Sequence, residues 1–571
     1  MVRIGRWVGV SLVFLALGAS AQEAHLGESI EVAIVNVEVH VTDKQGNRVT
    51  GLNPEEFEIR ENGKLQPITN FSEFRSAASA GMAGVESAVE PPSPEAKAAE
   101  AAVRPRRSIV IFIEPVTLAG FRANELFDSI RALLNRAVVK GDQVSIVTFV
   151  RAMRIRQPFT DDMAAIETTL TALQTEMSGV EGNRYDESKY IMSEAASFEK
   201  EYDEALAQLG IGSSNANAAV SLSALAAARR ELFLIRQKTA ALESLMQSIS
   251  GANGRKIIIM ATRRFGMYAG AEFFEGNVPT TSKQELDTSA YRQSLIRTAN
   301  AQGVTIYTLH PEGLEDTKVI GPWQSGNDHM EATLDQDLNR MSRDNAVLMN
   351  ETSALDQVAV ATGGLSAWGT GLIAKLLPRV GDDLETYYSL GYRATATGKD
   401  AARKIVVTTK NPNYVVRARK EFVEKSDVTQ MKDRVRANLF QRVDSSSAKI
   451  PFDVAVGKFR KTGRNRWSVP LKIRIPIGSL TVLPRGPEDA GSFSVFFATG
   501  GVLGVMSEVE QRTQAFTIPR SDLEKAKQSY FTYDLELDID KVVQTMSIAV
   551  LDEVGKEFGI KRFALPKTAR E

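Results

Sequence analysis

Four short, mainly apolar runs, separated by stretches of helical spacing, constrain the fold of this chain more than any other feature. They are Ile109–Ile113, Val144–Phe149, Ile257–Met260 and Val304–Leu309. A strand with one face in water alternates apolar and polar residues, whereas runs like these are typical of strands buried on both faces. We therefore predict a doubly wound, mostly parallel α/β sheet with helices on both faces, within residues 107–420.

One core of this kind does not account for the whole chain of 571 residues, because single cores stop growing near about 250–300 residues. Residues 28–75 alternate in the strand manner and contain the hairpin signal Asn62-Gly63, which predicts an N-terminal β unit. Residues 76–106 are rich in Ala, Pro and Ser and are predicted to be a flexible linker. Residues 425–571 carry further strand patterns, typical of a C-terminal β-sandwich. The strands after Tyr387 are candidates for pairing with the N-terminal unit.

A helical insertion over residues 161–250 interrupts the alternation of strands and helices. It contains two apolar stripes at helical spacing, Ile191–Leu209 and Leu225–Ile249. Two such stripes favour an antiparallel helical hairpin, which either packs on its own chain or joins a second copy through residues 187–249. Residues 313–352 are polar and irregular, and we predict a long surface loop there.

The N-terminus predicts the compartment. Residues 1–21 combine arginines, an apolar stretch and Ala19-Ser20-Ala21, the order of a secretory signal peptide cleaved after Ala21. We expect a secreted or periplasmic protein with no membrane span after cleavage. The absence of cysteine excludes disulfides, thiolate nucleophiles and Cys-ligated zinc. Lys+Arg total 69 and Asp+Glu 70, and this neutral balance argues against nucleic acid as a partner.

The sequence motifs of catalysis and of cofactor binding are missing. The chain has no His-Glu-x-x-His, no phosphate-binding Gly-x-x-x-x-Gly-Lys-Ser/Thr loop and no Gly-x-Ser-x-Gly nucleophile elbow. Its 4 His residues do not pair by spacing, and His310, at the end of an apolar run, is the one that we would test. We therefore predict no catalytic residues, no cofactor and no enzymatic activity.

Several short motifs occur in an order that resembles a known family. They are Val41–Gly46, Gly51–Phe57, Arg107–Ile113, Gly254–Ile259, Ala361–Gly364, Tyr388–Tyr392 and Val416–Lys420. The strand-helix part resembles a von Willebrand factor type A (VWA) domain. The order as a whole is similar to the bacterial VWFA-related family described from acidobacterial genomes, apart from the helical insertion.

The resemblance implies a metal-ion-dependent adhesion site, where Asp-x-Ser-x-Ser after the first strand supplies oxygen ligands to Mg²⁺ or Mn²⁺. Here Glu114 replaces the aspartate, and both hydroxyl positions after it are apolar. After the fourth strand, where the family has an aspartate, this chain has Thr262, Arg263 and Arg264. We predict that no metal binds, and that these residues with Thr117 form the edge of a former metal site.

A replacement for the metal can be proposed from the same residues. Carboxyl ends of neighbouring parallel strands meet at one edge of a sheet, so Glu114 would face Arg263 or Arg264 in a charge-assisted pair. Alternatively, both arginines point into solvent and Glu114 only ends a strand.

These expectations favour an exported, non-enzymatic protein of the adhesion or scaffolding type, which binds protein partners of unknown identity through a degenerate, metal-free VWA site. An envelope assembly factor that forms homo-oligomers through the helical hairpin is the alternative. A hydrolase with a site that no motif reveals is the minor alternative.

Overall fold

The computed structural model describes residues 32–75, 106–115, 121–150, 152–178, 216–252, 254–263, 265–274, 278–311, 330–395, 400–440, 448–464, 466–501, 506–540 and 543–565. The predicted signal peptide and residues 76–105 of the predicted linker lie outside them. The described residues form a mixed α/β protein with one six-stranded mixed sheet and several antiparallel sheets. None of the helices among these residues is both long and apolar enough to cross a membrane.

The N-terminal segment forms four strands: β1 (Val32–Thr42), β2 (Phe57–Glu61), β3 (Lys64–Gln66) and β4 (Ile68–Phe74), with a 3-10 turn at Pro54–Glu56. On β1, Val35, Val37, Val39 and Val41 are at most 1% exposed, so the predicted alternation places one face of this strand in a core. Positive φ angles at Asn62 and Gly63 make the tight turn between β2 and β3.

The middle of the chain forms what we call the mixed-sheet unit. Its elements are β5 (Arg107–Ile113), α1 (Phe121–Ala137), β6 (Gln143–Phe149), β7 (Met153–Thr160), α2 (Met163–Ser178), α3 (Ala216–Ser248), β8 (Arg255–Ala261), α4 (Thr280–Leu286), α5 (Ser289–Gln302), β9 (Val304–His310), α6 (Met330–Ala361), β10 (Ser366–Trp368) and α7 (Thr370–Glu385), with a 3-10 helix at Ala271–Phe274. The strand order is β10-β9-β8-β5-β6-β7. All neighbours are parallel except β6 and β7, which are antiparallel.

Successive residues of β5 enter two different cores. Ile109, Ile111 and Ile113 pack with apolar residues of α1, α2 and α7. Val110 and Phe112 pack on the other face with residues of α3, α5 and α6. All five side chains are 0% exposed, which explains why this run shows no alternation of apolar and polar residues.

The predicted surface loop over residues 313–352 is wrong in its second part. The helix α6 begins at Met330 and continues to Ala361, whereas residues 312–329 lie outside the described part of the chain. The apolar residues Leu334 and Leu338 stand four apart in the sequence, a helical spacing that the many polar residues between them conceal.

The apolar stripe of α3 packs within its own chain. Ile235, Leu242 and Met246 lie in the core beneath one face of the mixed sheet. Ala228, nearer the start of the helix, is 0% exposed and packs in a smaller cluster with the 3-10 helix. The other predicted arm of the hairpin falls in residues 179–215, which lie outside the described residues.

The strands after Tyr387 complete the N-terminal unit. They are β11 (Tyr387–Thr395), β12 (Ala401–Thr409), β13 (Val415–Ala418) and β14 (Glu421–Glu424). β1 pairs antiparallel with β11, from Val32 opposite Thr395 to Val39 opposite Tyr388, and also with β13. The result is two four-stranded sheets, β13-β1-β11-β4 and β14-β12-β2-β3, which we call the β unit. The strands of residues 387–424 therefore belong to the β unit, although the predicted boundaries placed residues up to 420 with the parallel sheet.

The C-terminal part begins with a helix and not with a strand, which corrects the predicted start of the sandwich at residue 425. Its elements are α8 (Asp427–Phe440), β15 (Asp453–Val456), β16 (Arg460–Gly463), β17 (Arg466–Pro476), β18 (Leu483–Arg485), β19 (Glu488–Gly501), β20 (Glu510–Pro519), α9 (Leu523–Lys527), β21 (Tyr530–Asp540), β22 (Val543–Asp552) and β23 (Phe558–Ala564), with 3-10 turns at Ile477–Ser479 and Arg520–Asp522. Two antiparallel sheets share one core, to which Val469 of β17 and Val495 of β19 contribute. The helix α8 packs through Met431 and Val435 on the second sheet.

Candidate functional site at the carboxyl edge of the mixed sheet

The carboxyl edge, where the parallel strands of the mixed sheet end, brings together residues that are distant in the sequence. Glu114 follows β5, Thr262 follows β8 and His310 ends β9. The backbone amide of Glu114 donates to the carbonyl of Ala261 at 3.0 Å, and that of Thr262 donates to Leu309 at 3.0 Å. The backbone hydrogen bonds between neighbouring strands thus continue one residue beyond β5 and β8, and they hold Glu114 and Thr262 side by side.

A lysine from α3 enters this edge. The Nζ atom of Lys238 donates hydrogen bonds to Glu114 Oε2 at 2.8 Å, to Thr262 Oγ1 at 3.1 Å and to the carbonyl oxygen of Arg263 at 2.9 Å. The Thr262 hydroxyl also lies 2.5 Å from Glu114 Oε2 and donates to it. Lys238 is 1% exposed and Thr262 is 0% exposed. All three ammonium protons therefore have an acceptor inside the protein.

The position of Lys238 follows from the apolar stripe of α3. It comes three residues after Ile235 and four before Leu242, so it lies on the same face of the helix as these two core residues. The spacing places Lys238 beside the apolar stripe, but it does not show whether the ammonium group is buried or extends into water. A buried ammonium group requires a charged or polar partner, and the end of β5 supplies one in Glu114.

These residues do not fit a divalent metal ion. Mg²⁺ lies about 2.1 Å from its oxygen ligands. An ion bound to Glu114 and Thr262 would have to take the volume of the Lys238 ammonium, which contacts both side chains. Thr117, the remaining hydroxyl of the predicted edge, lies outside the described residues.

Arg263 and Arg264 were the predicted partners of Glu114, and the structure describes only the first of them. The backbone carbonyl oxygen of Arg263 accepts a hydrogen bond from Lys238. The Nε atom of its guanidinium lies 3.7 Å from Glu351 Oε2 on α6. Arg264 lies outside the described residues. The cation bound to Glu114 by the contacts described above is therefore Lys238, which was not predicted.

His310 belongs to a second buried pair at this edge. Its Nε2 atom lies 2.5 Å from Glu351 Oε2, and the two residues are 2% and 3% exposed. The pair joins the end of β9 to α6. Both side chains are enclosed, so the contact with Glu351 fixes His310 against α6.

Exposed apolar side chains lie on the elements that meet at the carboxyl edge. Trp368, opposite His310 in the pairing of β10 with β9, is 39% exposed. Leu372 in the first turn of α7 is 42% exposed, and Met349, two residues before Glu351 on α6, is 62% exposed. Aromatic residues and methionine, here Trp368 and Met349, are enriched where proteins contact one another.

No protein-family model matches this chain, and no curated protein matches it. Among solved structures, it is similar to Northeast Structural Genomics Consortium target SoR45, at 15% identity over 21% of this chain and 88% of that one, with a TM-score of 0.14. It is also similar to proximal thread matrix protein 1 from the mussel byssus, at 12% identity over 49% of this chain and 48% of that one, with a TM-score of 0.22. A third similar structure is an aerotolerance-related membrane protein from Bacteroides fragilis, at 12% identity over 48% of this chain and 98% of that one, with a TM-score of 0.18. Similarities of this size do not assign the chain to a family.

Proposed function

We propose that this chain is an exported, non-enzymatic interaction protein with a VWA-like, doubly wound unit that binds protein partners without a divalent metal. The observation that carries the proposal is the contact of the Lys238 ammonium with Glu114, Thr262 and the Arg263 carbonyl. In the family that the sequence resembles, a metal ion stands at this edge and a partner carboxylate can complete its ligand shell. Here an internal cation satisfies the carboxylate.

The internal cation changes how a partner can bind at the carboxyl edge. With Lys238 1% exposed, its charge is not offered to a partner carboxylate. Contact must come from groups at the surface of the edge, where Trp368 and Met349 are exposed. Buried aromatic side chains commonly carry most of the energy of such interfaces. The proposal therefore places Trp368 at the centre of the interface.

Titration with Mg²⁺ and Mn²⁺ tests the metal-free part of the proposal. Isothermal calorimetry on the full chain is expected to show no saturable binding of either ion up to millimolar concentration, because Lys238 occupies the point where Glu114 and Thr262 converge. Chelation should leave the thermal midpoint unchanged. Micromolar binding that disappears in Glu114→Ala would contradict the proposal.

A partner-capture experiment tests the interaction itself. The full chain is cross-linked in its own envelope fraction, and the same partner should be recovered with EDTA and with Mg²⁺. Trp368→Ala is expected to lower the recovery about tenfold, the usual effect of truncating a central aromatic residue. Tyr530→Ala, which truncates a 49% exposed aromatic residue on β21 of the C-terminal part, is the matched control and should recover the partner normally. Capture that requires Mg²⁺, or equal loss in both variants, would count against the proposal.

A further inference from the structure

A cavity of about 300 Å³ lies at the opposite end of the mixed sheet, where its parallel strands begin. Its lining combines the start of β8 with the outer face of β1 and β11. The charged and titratable residues among the lining are Glu38, His40, Arg255, Lys256, Tyr387 and Arg419. The volume is at the lower end of the range for small-molecule sites, about 300–1,000 Å³.

The buried wall of the cavity is built on Arg255. This residue is 4% exposed, and its guanidinium lies 4.2 Å from the centre of the Tyr387 ring. Its Nε donates to Glu38 Oε2 at 2.7 Å and its Nη1 to the carbonyl of Asp383 at 3.0 Å. Its Nη2 has no hydrogen-bond partner among the described residues. Glu38 is therefore already engaged, and Arg255 retains an unused donor.

Two more cations share the cavity. Arg419 donates through Nη2 to the carbonyl of Asn36, and its buried Nε has no hydrogen-bond partner among the described residues. Lys256 follows Arg255 on β8, and its Nζ lies 3.3 Å from the carbonyl of Gln302. Burial, followed by the positive charges of Lys425 and Arg419, lowers the pKa of Lys256 to about 8, although the carboxylates of Asp433 and Glu38 act in the opposite direction.

His40 adds no further positive charge to the lining. Burial, followed by the charges of Arg417 and Arg48, holds its pKa well below the usual value, so the imidazole is neutral at pH 7. The lining thus carries three cationic side chains and one carboxylate, Glu38, which is bound to Arg255. Like charges held close together away from water are unfavourable unless a counter-charge joins them.

We propose that this cavity is a binding site for a small oxyanion, a phosphate or carboxylate group, held by Arg255, Lys256 and Arg419. An oxyanion has several acceptor oxygens, which match the unused guanidinium donors and the ammonium group. The rim is accessible, because Asn36 and Gly254 are exposed. The site lies at the opposite edge of the sheet from Lys238 and does not depend on the proposed function.

Calorimetric titration of the full chain with inorganic phosphate and with succinate, at pH 7 and constant ionic strength, tests this site. At least one of the two is expected to bind saturably, with a Kd of about 1 mM or tighter. Binding of phosphate alone identifies a phosphate ligand, and binding of succinate alone identifies a carboxylate. Lys256→Met should weaken binding at least about tenfold, because it removes a charge-assisted contact.

The thermal stability of Lys256→Met distinguishes a ligand site from a cluster of charges that only stabilises the fold. Without anion, Lys256→Met should keep or raise the thermal midpoint, since it removes a cation that burial and like charges disfavour. Lys472→Met, at a 56% exposed lysine on β17, is the control and should bind the probes as the wild type does. If Lys256→Met does not fold, Arg419→Gln provides the same comparison. Failure of both probes to bind, or undiminished binding in Lys256→Met, would overturn the proposal.

Discussion

Replacing Glu114 by alanine is expected to lower the free energy of unfolding of the mixed-sheet unit by about 3–5 kcal/mol, the usual cost of removing one partner from a buried ion pair. The substitution leaves the Lys238 ammonium with two neutral acceptors, the Thr262 hydroxyl and the Arg263 carbonyl. Lys238 is 1% exposed, so its charge stays buried when the carboxylate that compensates it is removed.

Hydrogen exchange at the amides of β5 and β8 in increasing urea measures this loss within the mixed-sheet unit, apart from the unfolding of the other units. The double variant Glu114→Leu with Lys238→Met removes both charges and fills the space with apolar atoms. It should recover most of the lost stability, since replacing a buried pair by apolar residues is often nearly neutral. A double variant as unstable as Glu114→Ala alone would show that the pair is not the source of the effect.

Asp383→Ala is expected to lower the free energy of unfolding by a similar amount, about 3–5 kcal/mol. Here the lost contacts are those that join the mixed-sheet unit to the β unit. Asp383 lies in the last turn of α7 and is 0% exposed. Arg417 of β13 donates to both of its oxygens, at 2.8 and 2.9 Å, the Tyr307 hydroxyl of β9 donates at 2.9 Å, and Arg48 forms a further ion pair with it. Without the carboxylate, Arg48 and Arg417 of the β unit lose the buried anion with which both of them pair.

Urea denaturation followed by limited proteolysis checks this prediction, with new cleavage expected between the two units. The neighbouring residue provides the control, because Asp382 is 39% exposed and pairs with Arg136, which is 47% exposed. Exposed pairs contribute at most about 1 kcal/mol, so Asp382→Ala should be close to the wild type. Equal destabilisation by both substitutions would mean that Asp383 has no special role at the junction.

The architecture could be predicted where the pattern in the sequence was local. The run Ile109–Ile113 indicated a strand buried on both faces, and the structure places its residues in two cores. The alternating valines of β1 likewise indicated a strand with one buried face. These signals depend only on neighbouring residues, so one sequence suffices to find them.

The key residue of the candidate site could not be found in the same way. Glu114 was predicted to face Arg263 or Arg264, because β5 and β8 are parallel neighbours that end at the same edge of the sheet; the contact with Thr262 came from the structure. Lys238 approaches from a helix whose register against the sheet is set by packing, and a lysine beside an apolar stripe more often extends its head group into water. The cavity at the other edge was also beyond prediction, because it forms only when β1 and β8 are brought together in space.

The strands of the β unit come from two parts of the chain, one before and one after the mixed-sheet unit, so they are synthesised at different times. β1 acquires its neighbours β11 and β13 only after the whole mixed-sheet unit has left the ribosome, since residue 418 is the last of β13. Until then its valines and its backbone donors are without their final partners, the condition in which strands join strands of other chains. Throughout the interval between the synthesis of β1 and that of β13, β1 is therefore open to pairing with another chain unless a chaperone covers it.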